Sequence, residues 1–155
     1  IFALFAGIYY WFPKITGRKM SEALGKLHFW PSFIFMNGIF MPMFIQGLAG
    51  VSRRLYDGGQ LYAHAQDVLQ WNEFMSISAF CLAAAQIPFI INVFVSMFNG
   101  EKVNRNPWDA TTVEWSAPSP PVPHANFEGD VEVYRDPYEY SVPGADKDFS
   151  PQTEK

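Results

Sequence analysis

Formal charge is absent from two long stretches of the chain, between Lys26 and Arg53 and between Glu73 and Glu101, which leaves 26 and 27 apolar or neutral positions. A helix rises about 1.5 Å per residue, so each stretch reaches roughly 39 Å, more than the roughly 30 Å of hydrocarbon in a bilayer. The pattern predicts membrane-spanning helices over residues 27–50 and 72–98, joined by a polar connection, 51–71, that carries Arg53 and Arg54. A third apolar stretch, Ile1 to Pro13, is only about 20 Å long as a helix, too short to span. It reads as the C-terminal half of a transmembrane helix, with Tyr9, Tyr10 and Trp11 in the aromatic belt where the helix leaves the bilayer. It has no basic leading segment and no small-residue cleavage site, so it does not read as a signal peptide.

Polar residues then orient these segments. Residues 14–26 hold Lys14, Arg18, Lys19 and Lys26 against Glu22, which points to an inner loop on the cytoplasmic or matrix side. The connection 51–71, with the turn signal Asp57-Gly58-Gly59, then falls on the outer side. Pro31 and Pro42 are tolerable in a membrane helix where neighbours satisfy the freed carbonyls, and Pro88 predicts a kink in the last span. Gln86 and Asn92 are polar at membrane depth and should face other helices rather than lipid.

Beyond Gly100 the texture changes. Eight of the twelve prolines fall between Pro107 and Pro151, and net charge moves from +2 over residues 1–98 to −6 over 99–155. Such a segment predicts an extended, acidic, Pro-rich tail, 99–155, on the inner side, pinned to a partner surface or partly disordered. The single cysteine, Cys81, lies inside an apolar stretch and allows no intrachain disulfide.

The residues with chemical potential are few. Arg53 and Arg54 read either as an interfacial anchor or as a fork that clamps an anionic group through paired hydrogen bonds. His28, His64 and His124 are never three or four residues apart and lie far from Cys81 in sequence, so no metal-ligand spacing is present and no metal site is assigned. Phosphate-binding loops, nucleophile elbows and basic nucleic-acid stripes are absent.

Several separated motifs, in order, carry a family resemblance. Tyr10-Trp11-Phe12-Pro13, Thr16-Gly17, Leu24 to Trp30, Gly47 to Arg54 with Tyr56-Asp57, and then Asn106-Pro107-Trp108, Ala110-Thr111-Thr112, Glu114-Trp115 and His124 to Phe127 resemble the C-terminal part of catalytic subunit I of haem-copper terminal oxidases. The resemblance covers roughly Ile1 to Tyr140. It implies an all-α membrane protein in which this chain supplies the end of the tenth helix and all of the eleventh and twelfth of a twelve-helix transmembrane bundle. It also implies reduction of dioxygen to water with electrons from cytochrome c, coupled to proton pumping. Two haems and a copper ion serve the whole subunit, with ligands on earlier helices, so no catalytic residue is expected in this fragment. Arg53 and Arg54 would bind haem propionates. The implied partners are the remainder of subunit I, oxidase subunits II and III, cytochrome c or another electron donor, and membrane lipid. The implied location is a bacterial plasma membrane or a mitochondrial inner membrane. The sequence departs from many relatives at Phe44, where they carry histidine. Asp57 aligns near a structural cation site of some relatives and is assigned no metal. A quinol-oxidising subunit I remains a near alternative, and a non-enzymatic helical scaffold or transporter fragment a distant one.

Overall fold

A computed structural model describes residues 1–52, 54–124, 126–127, 129–139, 143–144 and 146–154; Arg53 lies outside the described residues. The described chain is mostly helical. Helix α1 spans Phe2–Thr16, α2 Glu22–Leu48, α3 Trp71–Ala84 and α4 Ile87–Asn99, with 3-10 turns at Ala63–Val68 and Val113–Ser116. Strands β1, Arg18–Lys19, and β2, Glu101–Lys102, form a two-residue antiparallel ladder pairing Arg18 with Lys102 and Lys19 with Glu101. The chain divides into two units, one of residues 1–20 and 94–155, the other of residues 21–93.

In the second unit α2 begins at Glu22, inside the stretch that the charge pattern assigns to a loop reaching Lys26. Glu22 and Lys26 pair across one helical turn at 3.0 Å with both side chains exposed. A solvated i,i+4 pair extends a helix past its apolar part, which a charge-free window cannot see. Pro31 and Pro42 are both inside α2. The last span is interrupted: α3 stops at Ala84 and α4 starts at Ile87. Pro88 has no N–H to give to Ala84, so the helix turns there and resumes with Ile90 N–H donating to Gln86 O at 3.1 Å.

Helix α2 packs on α3 through small residues. A Cβ added at Gly38 would lie 2.8 Å from Ser78 Oγ, a spacing that only glycine permits. His28, Ser32, Gln86 and Asn92 of this unit bond to one another or to backbone. Gln86 Nε2 donates to Ser32 Oγ at 3.1 Å and to Leu82 O at 3.0 Å, while its Oε1 lies 3.1 Å from His28 Nε2. Asn92 is fully buried and exchanges two hydrogen bonds with the Ser21 backbone, each 2.9 Å.

Glu22–Leu48 and the combined Trp71–Asn99 segment are long and apolar enough to cross a membrane. Their most apolar windows are only 17% and 11% buried. The core helix of a soluble domain would be mostly buried, so this apolar surface suits lipid or further helices.

In the first unit α1 continues past Pro13, the predicted limit, to Thr16. Gly17 closes it in the left-handed region (φ 69°), donating its N–H to Pro13 O at 2.8 Å. The segment after β2 wraps onto α1 rather than leaving it. Trp108 Nε1 donates to Tyr10 O at 2.9 Å, and Trp115 is fully buried with its ring stacked on Trp11 at 5.3 Å. Lys14, which the charge pattern places in the inner loop, is buried; its ammonium donates to Ala117 O at 2.7 Å and Arg105 O at 3.2 Å. Further along, Gln152 N–H donates to Thr111 O and Val113 N–H to Gln152 Oε1, which folds Gln152 back onto residues 111–113.

Candidate functional site

The candidate site forms where α2 ends. Ala49 N–H donates to Ile45 O and Val51 N–H to Gln46 O, and Gly50 takes a left-handed conformation (φ 84°) that turns the chain out of the helix. Arg54 follows, also left-handed at φ 64°. For a residue with a long side chain this backbone costs on the order of 1–3 kcal/mol, and it persists only where surrounding bonds hold it.

Those bonds flank Arg54 on both sides. Downstream, the Asp57 carboxylate accepts N–H from Gly59 at 3.1 Å and from Leu61 at 2.9 Å, fixing the turn that the Asp-Gly-Gly sequence predicts. The same two bonds hold the Asp57 carboxyl below the usual carboxylate range. Upstream, the buried amide of Gln46 donates to Val68 O at 3.1 Å and to Asn72 Oδ1 at 2.9 Å, and Asn72 Nδ2 donates to Gly58 O at 2.9 Å.

Arg54 lines a cavity of about 520 Å³ with apolar walls that include Phe40, Met43, Phe44 and Leu48, and a polar edge of Gln46 and Asn72. One cationic fork at the edge of an apolar cavity matches an amphiphile, a flat apolar body with acidic arms. Arg54 is the cationic group of this lining, and Gln46 and Asn72 its amide groups. Phe44 adds an apolar surface to the wall.

The other residues singled out in the sequence lie elsewhere. His28 is buried against Gln86, His64 sits in the 3-10 turn with its ring 5.4 Å from that of Tyr62, and His124 is exposed. Sequence reasoning passed over Gln46, whose only signal is an amide near the end of an apolar stretch, and took Asn72 only as a helix start.

Residues 1–103 match the family described as cytochrome c and quinol oxidase polypeptide I. Cytochrome c oxidase subunit 1 of Synechocystis sp. is 48% identical over 143 residues, covering 91% of this chain and 24% of that protein. Alternative cytochrome c oxidase subunit 1 of Bradyrhizobium diazoefficiens is 41% identical over 155 residues, covering 99% of this chain and 26% of that protein. Cytochrome c oxidase subunit 1 of Thermostichus vulcanus is 41% identical over 142 residues, covering 92% and 24%. The chain thus spans about a quarter of the length of the curated relatives it matches. On this match and on its two long apolar helices, the chain belongs to the cytochrome c and quinol oxidase polypeptide I family.

Proposed function

We propose that this chain is the C-terminal part of the catalytic subunit of a respiratory haem-copper oxidase, an enzyme that reduces dioxygen to water and couples the reaction to proton pumping. The observation that carries the reading is Arg54 at the edge of an apolar cavity directly after a membrane-length helix. When bound, the two haems and the copper of the whole subunit supply electron transfer and dioxygen chemistry. This chain's share is electrostatic and positional. Arg53 and Arg54 present guanidinium forks to the propionates, neutralise them, and favour the reduced form of the haem through their positive charge. The apolar wall of Phe40, Met43, Phe44 and Leu48 is exposed in this chain alone; covered in the whole subunit, it would keep water from that contact, so that the charges act at short range in a poorly screening medium.

The family includes both cytochrome c and quinol oxidases. The named relatives are cytochrome c oxidases, which favours cytochrome c as electron donor. In this reading the Arg53-Arg54 connection faces the outer side, residues 14–26 and 99–155 the inner side, and the remaining helices of subunit I with subunits II and III cover the exposed apolar faces of α2, α3 and α4. The test is the purified complex containing this subunit. Haem absorbance bands with oxygen consumption supported by reduced cytochrome c are expected. Consumption with quinol alone would move the assignment to the quinol branch, and a complex without haem bands or oxygen consumption would favour a scaffold or transporter fragment.

A further inference from the structure

We infer that Gln46 and Asn72 are positioning residues for Arg54, a clamp that sets where its guanidinium stands and thereby tunes the potential of the haem it faces. The inference rests on the propionate reading above. Gln46 precedes Arg54 at the end of α2 and is 7% exposed. Its single Nε2 supplies both donors, to Val68 O and to Asn72 Oδ1, so loss of the amide removes both bonds at once. Asn72, in the first turn of α3, carries the link on to Gly58 O, on the far side of Arg54. The segment that bears Arg54 is therefore tied at both ends to one amide pair, and Gln46, Gly58 and Asn72 line the same cavity as Arg54. A left-handed arginine needs such restraint, because the relaxed backbone would swing its side chain elsewhere. An interaction between charges falls with distance, so a displaced guanidinium stabilises the reduced haem less.

The test uses the intact oxidase with Gln46→Met, Asn72→Ala, Arg54→Gln and the double variant Gln46→Met/Arg54→Gln. Haem content, haem midpoint by redox titration and the carboxylate bands of the redox-difference infrared spectrum are read for each. Gln46→Met and Asn72→Ala should retain haem, lower a haem midpoint in the same direction as Arg54→Gln, and alter the same carboxylate bands. The double variant should shift no further than Arg54→Gln alone. Unchanged midpoints in Gln46→Met and Asn72→Ala beside a lowered one in Arg54→Gln would overturn the clamp and leave propionate binding standing. No shift in any variant would overturn both, and a fully additive double variant would show that Gln46 acts independently of Arg54. Asn72 is only half-buried, so Asn72→Ala decides the question if Gln46→Met does not assemble.

Discussion

The Lys14 ammonium lies 4.9 Å from the centre of the Trp115 ring while donating to the carbonyls of Ala117 and Arg105. A buried cation is thus satisfied wholly by the segment that follows β2. Hydrogen bonds from a charged donor contribute about 1.5–3 kcal/mol and a desolvated cation over an indole up to about 2. Lys14→Met should therefore loosen residues 105–117, and limited proteolysis of the assembled subunit should cut there faster. Trp115→Ala, which empties a fully buried site, should have the larger effect, about 3–5 kcal/mol. Cleavage rates equal to the parent would show that the latch does not hold this segment.

Truncation after Trp115 should weaken assembly with the other oxidase subunits more than haem binding. The removed residues contain most of the acidic, proline-rich sequence and none of the cavity lining, which lies within residues 40–75. Blue native electrophoresis against haem content per subunit separates the two losses; an equal loss of haem would contradict the expectation.

Asp57 gives a pH dependence with a definite sign. Its carboxyl is held below the usual range by N–H donors from Gly59 and Leu61, so the folded turn favours the ionised form. The contribution is complete above the unfolded carboxylate pKa and disappears as pH falls through the lower folded value. Hydrogen exchange of the Gly59 and Leu61 amides, corrected for intrinsic rates, should accelerate across that acid window in the parent. Asp57→Ala should exchange rapidly throughout, with the pH step gone.

Gly38 sets the approach of α2 to α3. Gly38→Ala would bring a methyl group to 2.8 Å from Ser78 Oγ and 3.3 Å from Ser78 Cβ, so the Ser78 hydroxyl must turn away and the helices ease apart by a few tenths of an ångström. A loss of about 1–3 kcal/mol is expected, read as a lower thermal midpoint of the assembled complex. Ser78→Gly in the same chain should restore part of that midpoint.

Some of this was legible in the sequence and some was not, for physical reasons. Gln86 and Asn92 announced themselves because an amide at membrane depth must find a partner, and both bond within the protein. Pro88 marked the break between α3 and α4 because the missing donor is a property of the residue itself. The burial of Lys14 had no local signal, because its partners, Arg105 and Ala117, are far along the chain and no local pattern connects them. The Arg18–Lys19 and Glu101–Lys102 ladder is too short for an alternating pattern, so an all-helical reading omits it. At the candidate site, guanidinium chemistry and the family motif singled out Arg53 and Arg54. The left-handed backbone of Arg54 was hidden, since arginine carries no signal for it, and so was the Gln46–Asn72 bond, which depends on how the ends of α2 and α3 meet.

The charge of the arginine pair has its own consequence. Replacing both Arg53 and Arg54 by Gln should lower haem midpoints, because the lost positive charges favour the reduced state. Redox titration of the intact complex checks this.

The proposed grip of the arginines after α2 on the acidic arms of a haem comes down to one distance in a structure of the intact subunit. Propionate oxygens within hydrogen-bonding reach of the Arg54 guanidinium, beside the wall of Phe40, Met43 and Phe44, are the predicted result. A guanidinium facing lipid or open solvent, with no tetrapyrrole within reach, would contradict the account.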